Sequence, residues 1–506
     1  MIATIHTRAD LIRFVGVVLS SVLLAVLFGA VAGTGSILIS ALLIAVIVGV
    51  ILIAYPFVLT ASALVTSLVV VGTAESFFSF GQANWIASLM VGCLLLATFF
   101  SKPKAGKVET GLSRSWSRTL LFAALWCYFG CMLISTLINF VPAAQLTVGI
   151  RNYIPFIGLF FILAFGRLDD QRIKALIWGL VAVGCVQWLY CVAEQLYIVP
   201  RRTASLAAIG GGAEAIVGSF GGNPLAGGYT GEMAAFLVMI LLLCGVLWQA
   251  KILPRWVFLL SCLSAGVSVG LAETKIVLIL VPLMLLVILW RWPGGLSLKV
   301  VKLVAVGVLG IVLVTSVYAY RYWSDSSEVF HAFTYSFETK FMVDSHHRGR
   351  VAGITYWGDQ AVSKIPLPQV LFGFGPSASV EASFLAGEGA AVRQFGLGLD
   401  NTAISKLLWD FGLFGTLSFC LLIVGAFFEA ARLSRSTWVA PWAAWVLVAF
   451  KGWMLAFAVM LPYQVSMIGG APMQFLFWFT AGVIAYFGAW RTNDAATIAA
   501  SAKGEF

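Results

Sequence analysis

The sequence predicts an all-α polytopic membrane protein of about 14 transmembrane helices, with one large periplasmic loop and both termini cytoplasmic. Three observations carry this. Apolar runs of about twenty residues recur along the chain, the length an α-helix needs to cross a bilayer. Of 506 residues, 61% are hydrophobic and only 10% charged, with a mean hydropathy of +0.99; a soluble domain of that composition would expose too much apolar surface. Between the runs lie short connectors, several of them basic. A β-barrel is excluded, because its strands would be short and alternating. The net charge of +10 reads as a topology signal rather than a nucleic-acid footprint, so no nucleic-acid partner is expected.

The spans follow in order. Residues 13–33 form the first; further spans follow at once and the run exceeds a usual signal-peptide core, so a cleaved leader is not expected. Spans at 36–54 and 57–74 are separated by little more than Tyr55-Pro56, a tight turn or a kink. The next cover 84–100, 119–140, 153–167, 174–198, 228–249, 256–273, 275–292 and 301–320. The last three cover 403–429, 438–461 and 470–490, and a polar tail from Arg491 closes the chain. This divides the chain into a bundle over 1–319 with an outer loop at 199–227, a large loop over 320–402, and a second membrane part over 403–506.

Orientation follows from the connectors. Lys102–Arg118, Arg167–Lys174, Lys251–Arg255, Arg291–Lys302, Arg432–Arg435 and Arg491 fall on one side, assigned as cytoplasmic. Loops at 142–152, 199–227 and 462–469 fall on the other, together with the large loop, which is near charge balance. That loop carries three of the four histidines, His331, His346 and His347. The eight cysteines all lie in apolar runs, so neither a disulfide framework nor a zinc knuckle is implied.

Four features on the outer side bear chemistry. Val217-Gly-Ser-Phe-Gly-Gly-Asn-Pro-Leu-Ala-Gly-Gly228 precedes a span. Its glycines allow close backbone approach, either to a ligand or simply to a re-entering chain. Asn223-Pro224 reads as a turn opening a helix. A phosphate-binding P-loop is excluded, since no Gly-Lys-Ser/Thr ending is present. Arg201 and Arg202 precede it on a side where topology disfavours arginine, and match phosphate oxygens. Second, Lys275 stands in Glu273-Thr-Lys275 at the outer rim, either snorkelling or contacting an anion.

Third, Ser345-His-His-Arg-Gly-Arg350 is followed by Trp357 and by Leu371-Phe-Gly-Phe-Gly-Pro376. Arg348 and Arg350 flank a glycine and suit an anion, and His346 and His347 titrate near neutrality as acid or base, or are solvated. No metal site is expected, for want of Cys or of a His-x-x-x-His helix. Fourth, Asp400-Asn401 leads into the next span, where an acid either caps the helix or serves as a general base.

Taken in order, these features resemble the O-antigen ligase / O-antigen polymerase superfamily of bacterial envelope glycosyltransferases. The carriers are the Gly-Ser-Phe-Gly-x-Asn-Pro stretch before a span, Thr274-Lys275 where Ser-Arg is common, and the outer loop with Arg350, Trp357 and Gly-x-Gly-Pro. A polar-Asn pair leading to Gly412-x-x-Gly415 completes the set. By motif the resemblance covers about residues 200–415. It implies transfer of a glycan from an undecaprenyl-diphosphate carrier to an acceptor glycan or glycolipid, on the periplasmic face of the bacterial inner membrane, with no cofactor and no metal. Carried over, Arg350, Arg348 and Asp400 become catalytic. Lys275, Arg201, Arg202, Asn223, His346, His347 and Asn401 become diphosphate or substrate contacts. The implied partners are the lipid-linked oligosaccharide, its acceptor, the lipid bilayer, a chain-length regulator and a flippase.

Ligases typically have His-Asn where this chain has Asp400-Asn401, which favours a polymerase over a ligase acting on lipid A-core and leaves His346 or His347 as rival bases. A rival of another class is a lipid or polysaccharide transporter, which predicts ionisable residues inside spans. Glu194, Glu232, Asp410 and Lys451 are expected near span ends instead.

Overall fold

A computed structural model of the chain describes residues 49, 52–81, 83–101, 115–201, 216–223, 227–272, 274–289, 316, 338, 349–381, 383, 385–396 and 398–489. The chain divides into two compact units, 1–55 and 56–506, and the description below is of the second. The expected span at 13–33, nearly all of those at 36–54 and 301–320, and the residues Arg202, Glu273, His331, His346, His347 and Arg348 lie outside the described residues.

The chain is an all-α, multi-pass membrane protein. Among the described residues, nine helices are long and apolar enough to cross a membrane, and a tenth span is made if one bent pair is counted. In chain order they are α1 (Pro56–Phe78), α2 (Ala83–Phe100), α3 (Trp116–Ile138), the pair α4 (Ala143–Tyr153) and α5 (Ile157–Ala164), and α6 (Asp170–Tyr197). Then come α7 (Thr230–Gln249), α8 (Arg255–Ala272) and the shorter α9 (Val277–Leu289). The short helices α10 (Arg350–Ser363), α11 (Leu367–Phe372) and α12 (Ala390–Phe395), from the loop expected on the outer side, follow. The chain closes with α13 (Ala403–Leu433), α14 (Pro441–Met460), the single turn α15 (Ser466–Gly469) and α16 (Ala471–Ala489).

Burial sorts these helices into centre and rim. The apolar stretch of α16 is 100% buried and that of α7 94% buried, against 39% for α2 and α3. Leu89, Phe99, Trp126 and Leu133 on the rim helices are exposed. Outward-facing apolar side chains in this number suit lipid, not water.

At one end of the bundle several helix ends are tied together by charged side chains. Glu429 pairs with Arg432 at 2.5 Å and accepts from Ser117 Oγ at 2.5 Å. Arg118 donates to the Gly488 carbonyl at 2.8 Å, and Tyr486 to Asp170 at 2.7 Å. The starts of α3 and α6 and the ends of α13 and α16 therefore share one end of the bundle.

At the opposite end the structure corrects two expectations. Residues 142–152 are not a loop: Ala143–Tyr153 is helical, and α4 and α5 meet at a 46° bend. The break falls at Ile154-Pro155, since proline donates no N–H to the helical ladder. The second correction concerns α13, which is not continuous. Gly412 has φ 65° and ψ −162° inside it, a region open essentially to glycine alone. A β-carbon there would lie 2.5 Å from the Leu371 carbonyl carbon. The kink is thus where the large loop presses on the helix.

Candidate functional site

Three structures meet at this end: the glycine-rich stretch, the outer loop, and the start of α13. The glycine-rich stretch is a 3-10 turn at Gly218–Phe220 followed by a two-stranded hairpin, β1 (Gly222–Asn223) and β2 (Gly227–Gly228). Asn223 pairs with Gly227 through the backbone. Side chains from two helices, α6 and α1, take the N–H groups that this irregular backbone leaves over. Glu194 Oε2 on α6 accepts from Val217 N at 2.9 Å and Gly218 N at 2.8 Å. Gln187 Oε1 accepts from Ser219 N at 3.0 Å, and Glu75 Oε2 on α1 accepts from Gly222 N at 2.7 Å. Non-helical backbone at membrane depth survives only when satisfied in this way. A π-helical turn at Thr66–Val70 in α1 lies beside it, and the Leu68 carbonyl accepts from Ser219 Oγ. Gly72 faces the same turn so closely that a β-carbon would lie 2.0 Å from Ser219 O.

The outer loop is latched by Asp410. Asp410 Oδ2 accepts from Ser377 N at 2.8 Å and Tyr153 OH at 2.5 Å, and Oδ1 from Ser379 N at 2.8 Å. The Gly373-Phe-Gly-Pro376 run continues the contact: Phe374 N donates to Trp409 O at 2.8 Å and Gly375 N to Asp410 O at 3.0 Å. Side chains of α3 and α4 grip the same run, Asn139 on the Gly373 carbonyl at 3.0 Å and Gln145 on the Pro376 carbonyl at 3.1 Å. Trp357, Phe374, Leu399, Leu408 and Trp409 form a buried cluster, with Phe395 packed at 5.1 Å from the Trp409 ring. The loop's core is therefore shared with α13.

Asp410 is thus fully buried inside a membrane helix, not near a span end. Glu194, Glu232 and Lys451 are buried in α6, α7 and α14 as well. Glu194 lies one turn from the end of α6 and Glu232 in the first turn of α7, whereas Lys451 is mid-helix.

A turn at Tyr463-Gln464, after α14, joins the remaining parts. Arg350, the first residue of α10, donates from Nε to the Tyr463 carbonyl at 2.9 Å, and its guanidinium carbon lies 4.0 Å from the Tyr463 ring centroid. Ala403 N donates to the Gln464 carbonyl at 3.0 Å. Gly231, in the first turn of α7, abuts the Tyr463 ring and the Gln464 amide. Arg350, the entry to α13 and the helix that follows the glycine-rich stretch are in this way neighbours of one turn.

Asp400 is not the cap of α13. Thr402 is, its hydroxyl accepting from Ser405 N at 3.1 Å. Asp400 pairs instead with Lys406 at 3.3 Å; the lysine side chain is 4% exposed and the aspartate's 25%. The carboxylate is partly exposed while its counter-ion is enclosed. Tyr229, between the hairpin and α7, links this pair to the glycine-rich stretch. Burial pushes its hydroxyl well above the usual phenol range, with Glu75, Glu232 and Asp400 adding to the shift and Arg151 opposing it. It is accordingly a neutral hydroxyl at physiological pH.

Of the residues singled out in the sequence, Arg350 contacts Tyr463, Asp400 pairs with Lys406 just before and inside α13, and Asn401 lies half-buried next in the chain to Asp400. Lys275 is half-buried in the turn between α8 and α9, and Arg201 is exposed in a 3-10 turn after α6. Lys406, Tyr463, Tyr229, Arg151 and Glu75 belong to this end and were not singled out. Arg151 carried the same signal as Arg201, an arginine on the outer side. No protein-family model matches this chain, and no curated protein matches it.

Proposed function

We propose that the protein is a membrane glycosyltransferase that polymerises undecaprenyl-diphosphate-linked oligosaccharide repeat units into surface polysaccharide, on the periplasmic face of a bacterial inner membrane. One observation carries most of the support: a single turn, Tyr463-Gln464, holds Arg350 through the Tyr463 carbonyl and holds the first residue of α13, Ala403, three residues after the partly exposed Asp400, through the Gln464 carbonyl. The arrangement suits the reaction. A diphosphate leaving group needs positive charge to stabilise it, and the acceptor hydroxyl needs a carboxylate to take its proton. Arg350 offers the first; its Nε is spent on Tyr463, which orients the rest of the fork. Asp400 supplies the base, and Lys406 holds it in place from the buried side. The bond from the anomeric carbon to the diphosphate breaks as the new glycosidic bond forms, and the hydroxyl proton passes to Asp400. An O-antigen ligase would perform the same chemistry on a lipid A-core acceptor.

Asp400→Asn separates this role from a structural one. It keeps the side chain's size and removes its basicity. The expected result is loss of polymer by about 10²–10⁴-fold, with the protein still in the membrane at normal level. Unchanged polymer in that variant moves the base to His346 or His347.

A transporter is the reading that Glu232 and Lys451 favour, since ionisable side chains buried in spans line many substrate paths. Glu194 and Asp410 do not add to it, because each is committed to backbone N–H groups of an outer segment. Flux of lipid-linked oligosaccharide across proteoliposomes without any change in its length supports that reading against polymerisation.

A further inference from the structure

One further cation at this end of the bundle belongs to neither the Arg350–Tyr463 contact nor the Asp400–Lys406 pair. Arg151, near the end of α4, is half-buried, and its Nε is enclosed with no hydrogen-bond partner among the described residues. Its guanidinium carbon lies 4.6 Å from the ring centroid of Trp85 on α2. Stacking fixes the plane of the fork without satisfying any N–H group. Unmet donors away from water are costly, so native structures rarely leave them so.

The arginine lines a recess that it shares with Asn84 and Ser88 of α2, Asn152 of α4 and Gln474 of α16. The walls are held rigidly. Gln474 Nε2 donates to the Asn152 carbonyl at 2.8 Å, Asn152 Nδ2 to Ser377 Oγ at 3.1 Å, and Ser88 Oγ to the Asn84 carbonyl at 3.0 Å. Arg151 is the one cation among the residues lining the recess, and Glu75 is within electrostatic reach of it. The local positive charge is at most one. A phosphate monoester, carrying about −1.5 to −2 near neutrality, would be under-compensated. A singly charged oxyanion matches.

We infer that this recess binds a monoanionic oxyanion, a carboxylate or a phosphodiester, on the Arg151 guanidinium. The enclosed space is about 10 Å³, the room of a single water, so one oxygen of the anion enters it and the rest of the group stays at the mouth. Two sources present that chemistry at a membrane face: the carboxylate of an acidic sugar and the phosphodiester of an anionic lipid head group. The inference does not rest on the glycosyltransferase reading, because its readout is binding and not polymer.

The test uses the full chain in phosphatidylcholine nanodiscs, titrated with sodium glucuronate or glucose at ionic strength matched with sodium chloride, with Tm as the readout. Glucuronate is expected to raise Tm and glucose to leave it unchanged. Arg151→Gln abolishes the shift, and Arg151→Lys, which keeps the charge and loses the fork, weakens apparent affinity by about tenfold. A second arm replaces part of the phosphatidylcholine with phosphatidylglycerol. An Arg151-dependent rise there, in place of the glucuronate response, assigns the site to a lipid phosphodiester. Where Arg151→Gln does not fold, Ser88→Leu closes the recess from α2 with the arginine intact and must abolish the same shift. The inference is overturned if glucuronate acts equally on wild type and variant, or if neither glucuronate nor phosphatidylglycerol raises Tm.

Discussion

Arg350→Ala is expected to abolish polymer while the protein still reaches the membrane. Loss of one preorganised charged contact to the leaving group costs about 2–4 kcal/mol, or tens to several hundred-fold in rate. The structure adds a second cost. Arg350 anchors the first turn of α10 to the Tyr463 carbonyl and ring, so alanine also frees the segment that carries Trp357 into the loop's core. Arg350→Lys distinguishes the two effects. Lysine keeps a positive charge and lacks the planar fork that donates to one oxygen while stacking on tyrosine. Partial activity in the lysine variant and none in the alanine variant is the expected pattern, read from polymer length on gels. Normal polymer length in Arg350→Ala contradicts the assignment.

Asp410→Asn is expected to unlatch the outer loop. The carboxylate accepts three hydrogen bonds, two from backbone N–H groups and one from Tyr153. Asparagine has one acceptor oxygen, and its NH₂ group must face a donor. Hydrogen bonds to a charged acceptor contribute about 1.5–3 kcal/mol each, and a buried donor left unmet costs about 1–3 kcal/mol. The change therefore removes a large share of what fixes residues 373–380 against α13. The measurement is proteolysis of the outer loop in right-side-up membranes, with Tm of the purified protein alongside. Rapid cleavage between 365 and 400 with a lowered Tm is the expected result. Wild-type resistance at an unchanged Tm would mean that the contacts of Asn139 and Gln145 with the same run suffice.

Most of the membrane architecture was legible because it follows from one solvent property. Spans such as 84–100 and 256–273 match α2 and α8 closely, since a bilayer demands a run of that length and nothing local competes. The α4 helix was missed for the converse reason. With Gln145, Arg151 and Asn152 in an 11-residue stretch, it is too short and too polar for a span, and only its contacts with the outer loop and α16 hold it helical. The Gly412 kink was invisible because a glycine in an apolar run also reads as helix packing. What forces it is the distant Leu371 backbone. Asp410 was read as a boundary charge because sequence does not show a carboxylate's partners. Its N–H donors lie more than thirty residues upstream. Arg350 and Asp400 were legible as chemistry-bearing types, but Tyr463, which holds Arg350, lies in a connector with no motif. The cap reading of Asp400 failed by two residues, since a threonine at 402 does that work.

The central claim is that this end of the bundle joins lipid-linked glycans. Its most direct test is turnover of a purified undecaprenyl-diphosphate-linked repeat unit by the full-length protein in proteoliposomes, with product length read on gels. A ladder of lengths that grows with time and is lost in Asp400→Asn and Arg350→Ala is the predicted result. Substrate that stays one repeat long with active wild-type protein, whether or not it changes leaflet, contradicts it.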